Sequence, residues 1–274
     1  MKRLLISDYK RVFKDKLFLV ICIVAVVFAF LTPLLYLGLS AITSGTVAED
    51  MLLQTVNARQ QFFAAFAAGD NLGLVLPILF SIILYKDISQ GTVRNKIISG
   101  RSRTSIFLSN FTVCFTVMFT VMLINAFLTL GISLMFFKYG CEFTASELLY
   151  FLQSLLIEAL VYTFVASLVS WLIVKAKNMG LVIVLYASAV VGLTMVSGFL
   201  AIASQVLAAD PSLSKVADLL ETVQKFNVLS YSVYVGAGTE YALTDMLIFT
   251  LTPIVLSALL IVHGIIGFNK KDLK

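Results

Sequence analysis

The sequence predicts an all-α integral membrane protein with six transmembrane helices, and three features carry that expectation. Of the 274 residues, 60% are hydrophobic and only 13% charged, and the mean hydropathy is +1.00. A water-soluble domain needs no such apolar length. The apolar residues also gather into runs of about 20, the length that crosses a bilayer as a helix. Finally, if the runs are taken as spans, sixteen of the 20 Lys and Arg fall on one side and four on the other. That bias places both termini and the basic loops in the cytoplasm.

The net charge of +5 and the sequence pI near 9.0 would suggest nucleic acid in a soluble chain. Here the basic residues flank apolar spans, where topology and anionic membrane lipid account for them, so no nucleic-acid partner is expected. Cys22, Cys114 and Cys141 stand far apart with no CxxC pair, so neither a disulfide nor a metal site is expected.

Residues 1–16 hold six basic residues, with Leu5, Tyr9 and Val12 on one stripe of a helix. They read as an amphipathic interfacial helix on the inner membrane surface. The run 17–39 is too long for a signal-peptide core and lacks a small-residue cleavage pattern, so it is the expected first span, bent near its outer end by Pro33. A polar outer loop follows to Gln61, with a helical turn expected around Met51 to Val56. Leu72 to Tyr85 alone is too short to cross ~30 Å at roughly 1.5 Å per residue. The second span is therefore drawn as 62–85, which puts Asp70 and Asn71, flanked by Gly69 and Gly73, in its outer half.

Between the second and third spans lies the only long basic interruption, 87–103, with Arg94, Lys96, Arg101 and Arg103 against one acid, Asp87. Within it Gln90 to Ser99 has the makings of a short surface helix, Val93 and Ile97 on one face and Gly91 and Gly100 at its ends. The third span, 106–137, carries Asn125 near its middle. A short outer loop with Cys141, Glu142 and Glu147 leads to the fourth span, 148–174, which carries Glu158. Lys175 and Lys177 mark a tight inner turn before the fifth span, 181–202, where Ser188 with Gly192 and Thr194 with Gly198 have the spacing of close helix packing. In the outer segment 203–244, Asp210 is an N-cap and Pro211 a first helical residue, followed by Val216, Leu219, Leu220 and Val223 at helical spacing. An outer amphipathic helix from Pro211 to about Lys225 is predicted. The last span, 246–268, contains Pro253 and the single histidine, His263. Without internal repeats or a soluble module, 1–274 reads as one transmembrane domain.

Asp87, Gly91, Thr92, Arg94, Ser102 and Arg103 resemble, in type and order, the first cytoplasmic loop of type-2 ABC exporter permeases, and the six-span layout is similar over nearly the whole chain. Asp87 stands where that family usually has Glu, Gly100 where it usually has Pro, and Asn110 where it often has Lys. The resemblance implies a permease subunit in the cell's cytoplasmic membrane, paired with a second permease subunit, identical or closely related, around a central pathway. It also implies a separate ABC ATPase subunit below, coupled through Asp87, Gly91, Thr92, Val93, Arg94, Lys96, Ile97, Arg101 and Arg103. The chain has no GxxxxGK[ST] loop, so the chain is expected not to be an enzyme and to hold no cofactor; ATP and Mg would be bound by the partner. Similar permeases move peptides, drugs, lipid-linked molecules or ions, and the lack of a soluble domain favours an amphipathic peptide, antimicrobial or hydrophobic compound.

Within the membrane Asp70, Asn125 and Glu158 are the polar candidates. They could line a pathway, bind a cationic part of a cargo or form a gate. Equally, Asn125 could be an interhelical hydrogen-bond former and Glu158 a protonated structural acid. A reading from another class is a non-transporting immunity or sensor subunit that binds a toxin.

Overall fold

The computed structural model describes residues 1–42, 56–69, 71–235 and 240–271, and every regular element among them is helical. In order these are α1 (Lys2–Lys14), α2 (Lys16–Ile42), α3 (Ala58–Phe66), α4 (Asn71–Ser89), α5 (Thr92–Ile98), α6 (Arg103–Phe136), α7 (Ala145–Lys175), α8 (Met179–Ala208), a 3-10 turn (Pro211–Leu213), α9 (Ser214–Gln224), a second 3-10 segment (Val228–Val233) and α10 (Leu243–Lys270). Six of them are long and apolar enough to cross a membrane. The chain is a multi-pass membrane protein.

Three of the spans start where a side-chain oxygen can take up a first-turn N–H. Ser102 accepts from Ser105 at the head of α6, Thr144 from Glu147 at α7, and Asn178 from Leu181 at α8. Such caps satisfy donors that a helix leaves open at its N-terminus. They also begin each span two or three residues ahead of its apolar run. α7 is the central helix: 78% of its apolar stretch is buried, against 22% for α2 and 17% for both α8 and α10. It packs on α10, α6, α4 and α8. The peripheral spans turn large apolar side chains such as Leu35, Phe199 and Leu259 outward, as a helix bathed in lipid does.

The second span is not the continuous helix expected over 62–85. α3 stops at Phe66, Ala67 is extended (φ −62°, ψ 131°), and the chain turns before α4 begins at Asn71. Asp70 lies outside the described residues, as does all but Val56 of the turn expected at Met51 to Val56. The break is tightly packed: a Cβ on Gly73 would sit 2.1 Å from the Ala67 carbonyl oxygen, and one on Gly69 would sit 2.8 Å from that of Leu229. Non-helical backbone at membrane depth is stable only where protein satisfies it. Here the Asn125 side-chain amide donates to the Ala65 carbonyl at 3.1 Å and the Tyr162 hydroxyl to that of Phe66 at 3.0 Å. Rings complete the burial of α3, with Phe62 4.9 Å from Phe151 and 5.3 Å from Phe127.

The outer helix expected from Pro211 to Lys225 is instead a 3-10 turn followed by α9, with the Asp210 carboxylate accepting from the Ser212 N–H. α9 rests on α8 and buries Ala217 and Gln224, while Val216, Leu219 and Val223 are exposed. Its apolar stripe therefore faces away from the bundle.

Candidate functional site

At the end of the bundle that carries both ends of the described chain, α1 lies against α6 and turns Leu4, Asp8 and Val12, spaced four apart, inward. This face is charged as well as apolar. α5 rests beside it, with Val93 buried among Leu4, Ile106, Phe107, Val174 and Phe268. The short helix is entered and left through Gly91 and Gly100, both with positive φ (+70° and +83°), a conformation that other residues rarely adopt.

An ion cluster joins these elements. Lys96 Nζ lies 2.7 Å from Asp8 Oδ1 and 3.6 Å from Asp87 Oδ2, and Arg11 pairs with Asp87. The other Asp8 oxygen accepts from the Ser109 hydroxyl at 2.6 Å. A neighbouring pair, Lys86 with Asp15 at 2.9 Å, ties α4 to the end of α1. The carboxylates are nearly out of solvent, with side-chain exposures of 1% for Asp8 and 4% for Asp87. Burial pushes the Lys96 ammonium below its ordinary range against the opposing pull of Asp8, and burial does the same to Arg11 against Asp8 and Asp15. Burial also disfavours the Asp15 charge, but the Leu17 N–H and Lys86 outweigh it and hold that carboxyl low. The arrangement is a clamp of buried charges that fastens α1, α4, α5 and α6 together.

The sequence-derived coupling residues divide by this clamp. Asp87 and Lys96 belong to it, Val93 is an inward anchor and Ile97 is half-buried against the same cluster. Gly91 and Thr92 are half-buried at the head of α5. Val93 therefore cannot be part of an outward docking stripe. The outward face is Arg94, Asn95, the 74% exposed Ile98 and Arg101. Arg103 does something else: its guanidinium donates to the carbonyls of Phe268, Asn269 and Lys271 at 3.2, 2.9 and 2.8 Å and caps α10. Lys271 in turn donates to the Val174 carbonyl at 2.8 Å at the end of α7, and burial lowers its pKa. Asp8, Arg11 and Asp15 were missed as site residues. The available signal was the spacing of Asp8 with Leu4 and Val12, which puts an acid on the apolar face of α1, with Arg11 one turn on.

The intramembrane candidates lie elsewhere. Asn125 is the cap of α3 already described. Glu158, 1% exposed, sits one turn beyond Ser154, whose hydroxyl lies 2.8 Å from that of Tyr241. Tyr241 stacks on Tyr150 at 4.7 Å. Toward the far end of α7 comes Glu147, which the sequence placed in a loop and the structure buries in the first turn of α7 because Arg59 meets it at 2.6 Å. The Arg59 guanidinium also lies 4.9 Å from the centre of the Tyr150 ring. Tyr139 donates to Glu147 at 3.2 Å, and burial with the nearby carboxylate pushes its phenol up to about 12. Glu147, Tyr150, Ser154 and Glu158 thus form a polar ladder down one side of α7, away from the ion clamp. Among the described residues, no group of three or more His, Cys, Asp or Glu is arranged to hold a metal ion.

Comparisons with protein families, with curated proteins and with solved structures return no match for this chain.

Proposed function

We propose that this chain is the membrane subunit of an ATP-driven exporter and takes its energy from a separate ATPase of the ABC class. The observation that supports the reading most is how α5 is mounted. A surface helix between two spans would swing freely on its own glycines, yet Val93 and the Lys96 ion pairs fix it to α1, α4 and α6. A helix so mounted passes an applied push to the spans. Its exposed Arg94, Asn95, Ile98 and Arg101 offer two guanidinium groups around an apolar knob, suited to an acidic-rimmed apolar cleft on a partner.

On this reading the basic end faces the cytoplasm, two permease subunits enclose the pathway, and ATP with Mg binds the partner alone. The polar ladder of α7 is buried inside each subunit and braces the spans from within, while a cationic or amphipathic cargo, such as a peptide antimicrobial, passes between the two subunits. The test is co-purification from the native membrane followed by an ATPase assay. An ABC-type ATPase should accompany the wild-type chain and be lost from Ile98→Asp, which inserts and melts normally. If the chain purifies with a peptide toxin and no ATPase, it is an immunity or sensor subunit and the export reading fails.

A further inference from the structure

Directly above the seat of α5, the inner walls of α4, α6, α7 and α10 leave a small cavity of about 20 Å³. One water needs roughly 10–15 Å³ on the same measure. Most of the lining is apolar and includes Phe107, Val174 and Phe268, which also surround Val93. Two lining residues are polar: Asn110 on α6 and Ser170 on α7. Asn110 Oδ1 and Ser170 Oγ are both out of solvent and have no hydrogen-bond partner among the described residues. Ser170 is 4% exposed. Buried polar atoms without a partner are rare in folded proteins, and leaving one unmade is expensive.

We propose that this cavity is a bound-water site, in which one water donates to Asn110 Oδ1, bonds the Ser170 hydroxyl, and so joins α6 to α7. A hydroxyl and a carbonyl oxygen give such a water one acceptor and one group able to donate or accept. An apolar occupant would leave both atoms unsatisfied. A cation would face one neutral carbonyl and one hydroxyl, with no carboxylate among the lining residues. The site deepens the proposed role of α5 without depending on it, since water held between α6 and α7 is a joint that can re-form as the residues around Val93 shift.

The test is a stability cycle on the full chain in lipid nanodiscs, with Ser170→Ala, Asn110→Leu and the double variant. With the water in place, each single change strips it of a partner and lowers the melting midpoint by about 2–4 °C, the size expected of one buried hydrogen bond in a chain this long. The double variant then loses less than the two together. If the cavity is dry, each single change removes an unsatisfied group, both singles melt above wild type, and the effects add; that result overturns the proposal. Radical footprinting in ¹⁸O-labelled water is a readout that packing alone does not move. It should label Phe107 in the wild type and not in the double variant, and equal labelling in both also rejects the site.

Discussion

Lys96→Met is the sharpest probe of the ion clamp, because it keeps the length of the side chain and removes only its charge. The wild-type ammonium lies 2.7 Å from an Asp8 carboxylate that is 1% exposed. Removing one member of such a pair leaves a buried charge without its partner, which typically costs about 3–5 kcal/mol. The loss has a ceiling, since a stranded carboxyl can instead take up a proton. From the reference value for aspartate that costs about 4 kcal/mol at pH 7 and about 1.5 kcal/mol at pH 5. The variant should therefore melt about 10 °C below wild type at pH 7, and the gap should shrink to a few degrees at pH 5. Asp8→Asn combined with Lys96→Met should recover most of the loss, because the amide still accepts from Ser109. Scanning calorimetry or a thiol-reactive dye assay in nanodiscs at both pH values measures this. A gap that is absent at pH 7, or as large at pH 5 as at pH 7, would show that no buried charge is being held there.

Three further outcomes follow from other contacts. Arg59→Met should lower stability by about 3 kcal/mol because it strands Glu147, and adding Glu147→Gln should restore most of it; equal melting of the single and double variants would refute the pairing. Gly73→Ala should fail to give a folded monomer in size-exclusion chromatography, since its Cβ would fall 2.1 Å from the Ala67 carbonyl oxygen, a backbone atom that cannot step aside. The Lys86–Asp15 pair should be worth at most about 1 kcal/mol, as half-exposed pairs are. Asp15 is held low in the folded chain, so this contribution is present above the free aspartate value of about 4 and is lost as pH falls through the folded value. Lys86→Met should then melt below wild type at pH 7 and level with it once the pH has fallen below the folded value of Asp15.

Five of the six spans could be read from the sequence because lipid tolerates no ambiguity: a run of 20 apolar residues between basic flanks has one stable home. The second span misled for a physical reason. Its apolar content was right, but the break after Phe66 is held by Asn125 and Tyr162, 60 and 96 residues away, and no local pattern records a cap supplied from such a distance. The surface helix α5 was legible from Gly91 and Gly100, whereas the direction of Val93 was not. An apolar stripe states that something covers it, not whether the cover is a partner or the chain's own α1. The ion clamp was hidden by counting the charges of 1–16 as lipid-facing, although Asp8 sits four residues from both Leu4 and Val12, on the face that α1 buries.

α3 also sets a constraint on how the protein is made. It emerges from the ribosome third among the described helices, and apart from its Asn57 cap and its contact with α2 the groups that hold it follow later in the chain: Asn125 and Phe127 on α6, and Glu147, Phe151 and Tyr162 on α7. At nine residues, with Arg59, Gln60 and Gln61 in its first half, it is too short and too polar to enter a bilayer by itself. The segment must wait at the membrane surface while roughly a hundred further residues are synthesised and inserted, and then move inward onto a finished wall. A chain halted before α7 would leave it there. Crosslinking of arrested nascent chains should find Arg59 beside lipid headgroups until Tyr162 has been threaded, and beside Glu147 afterwards.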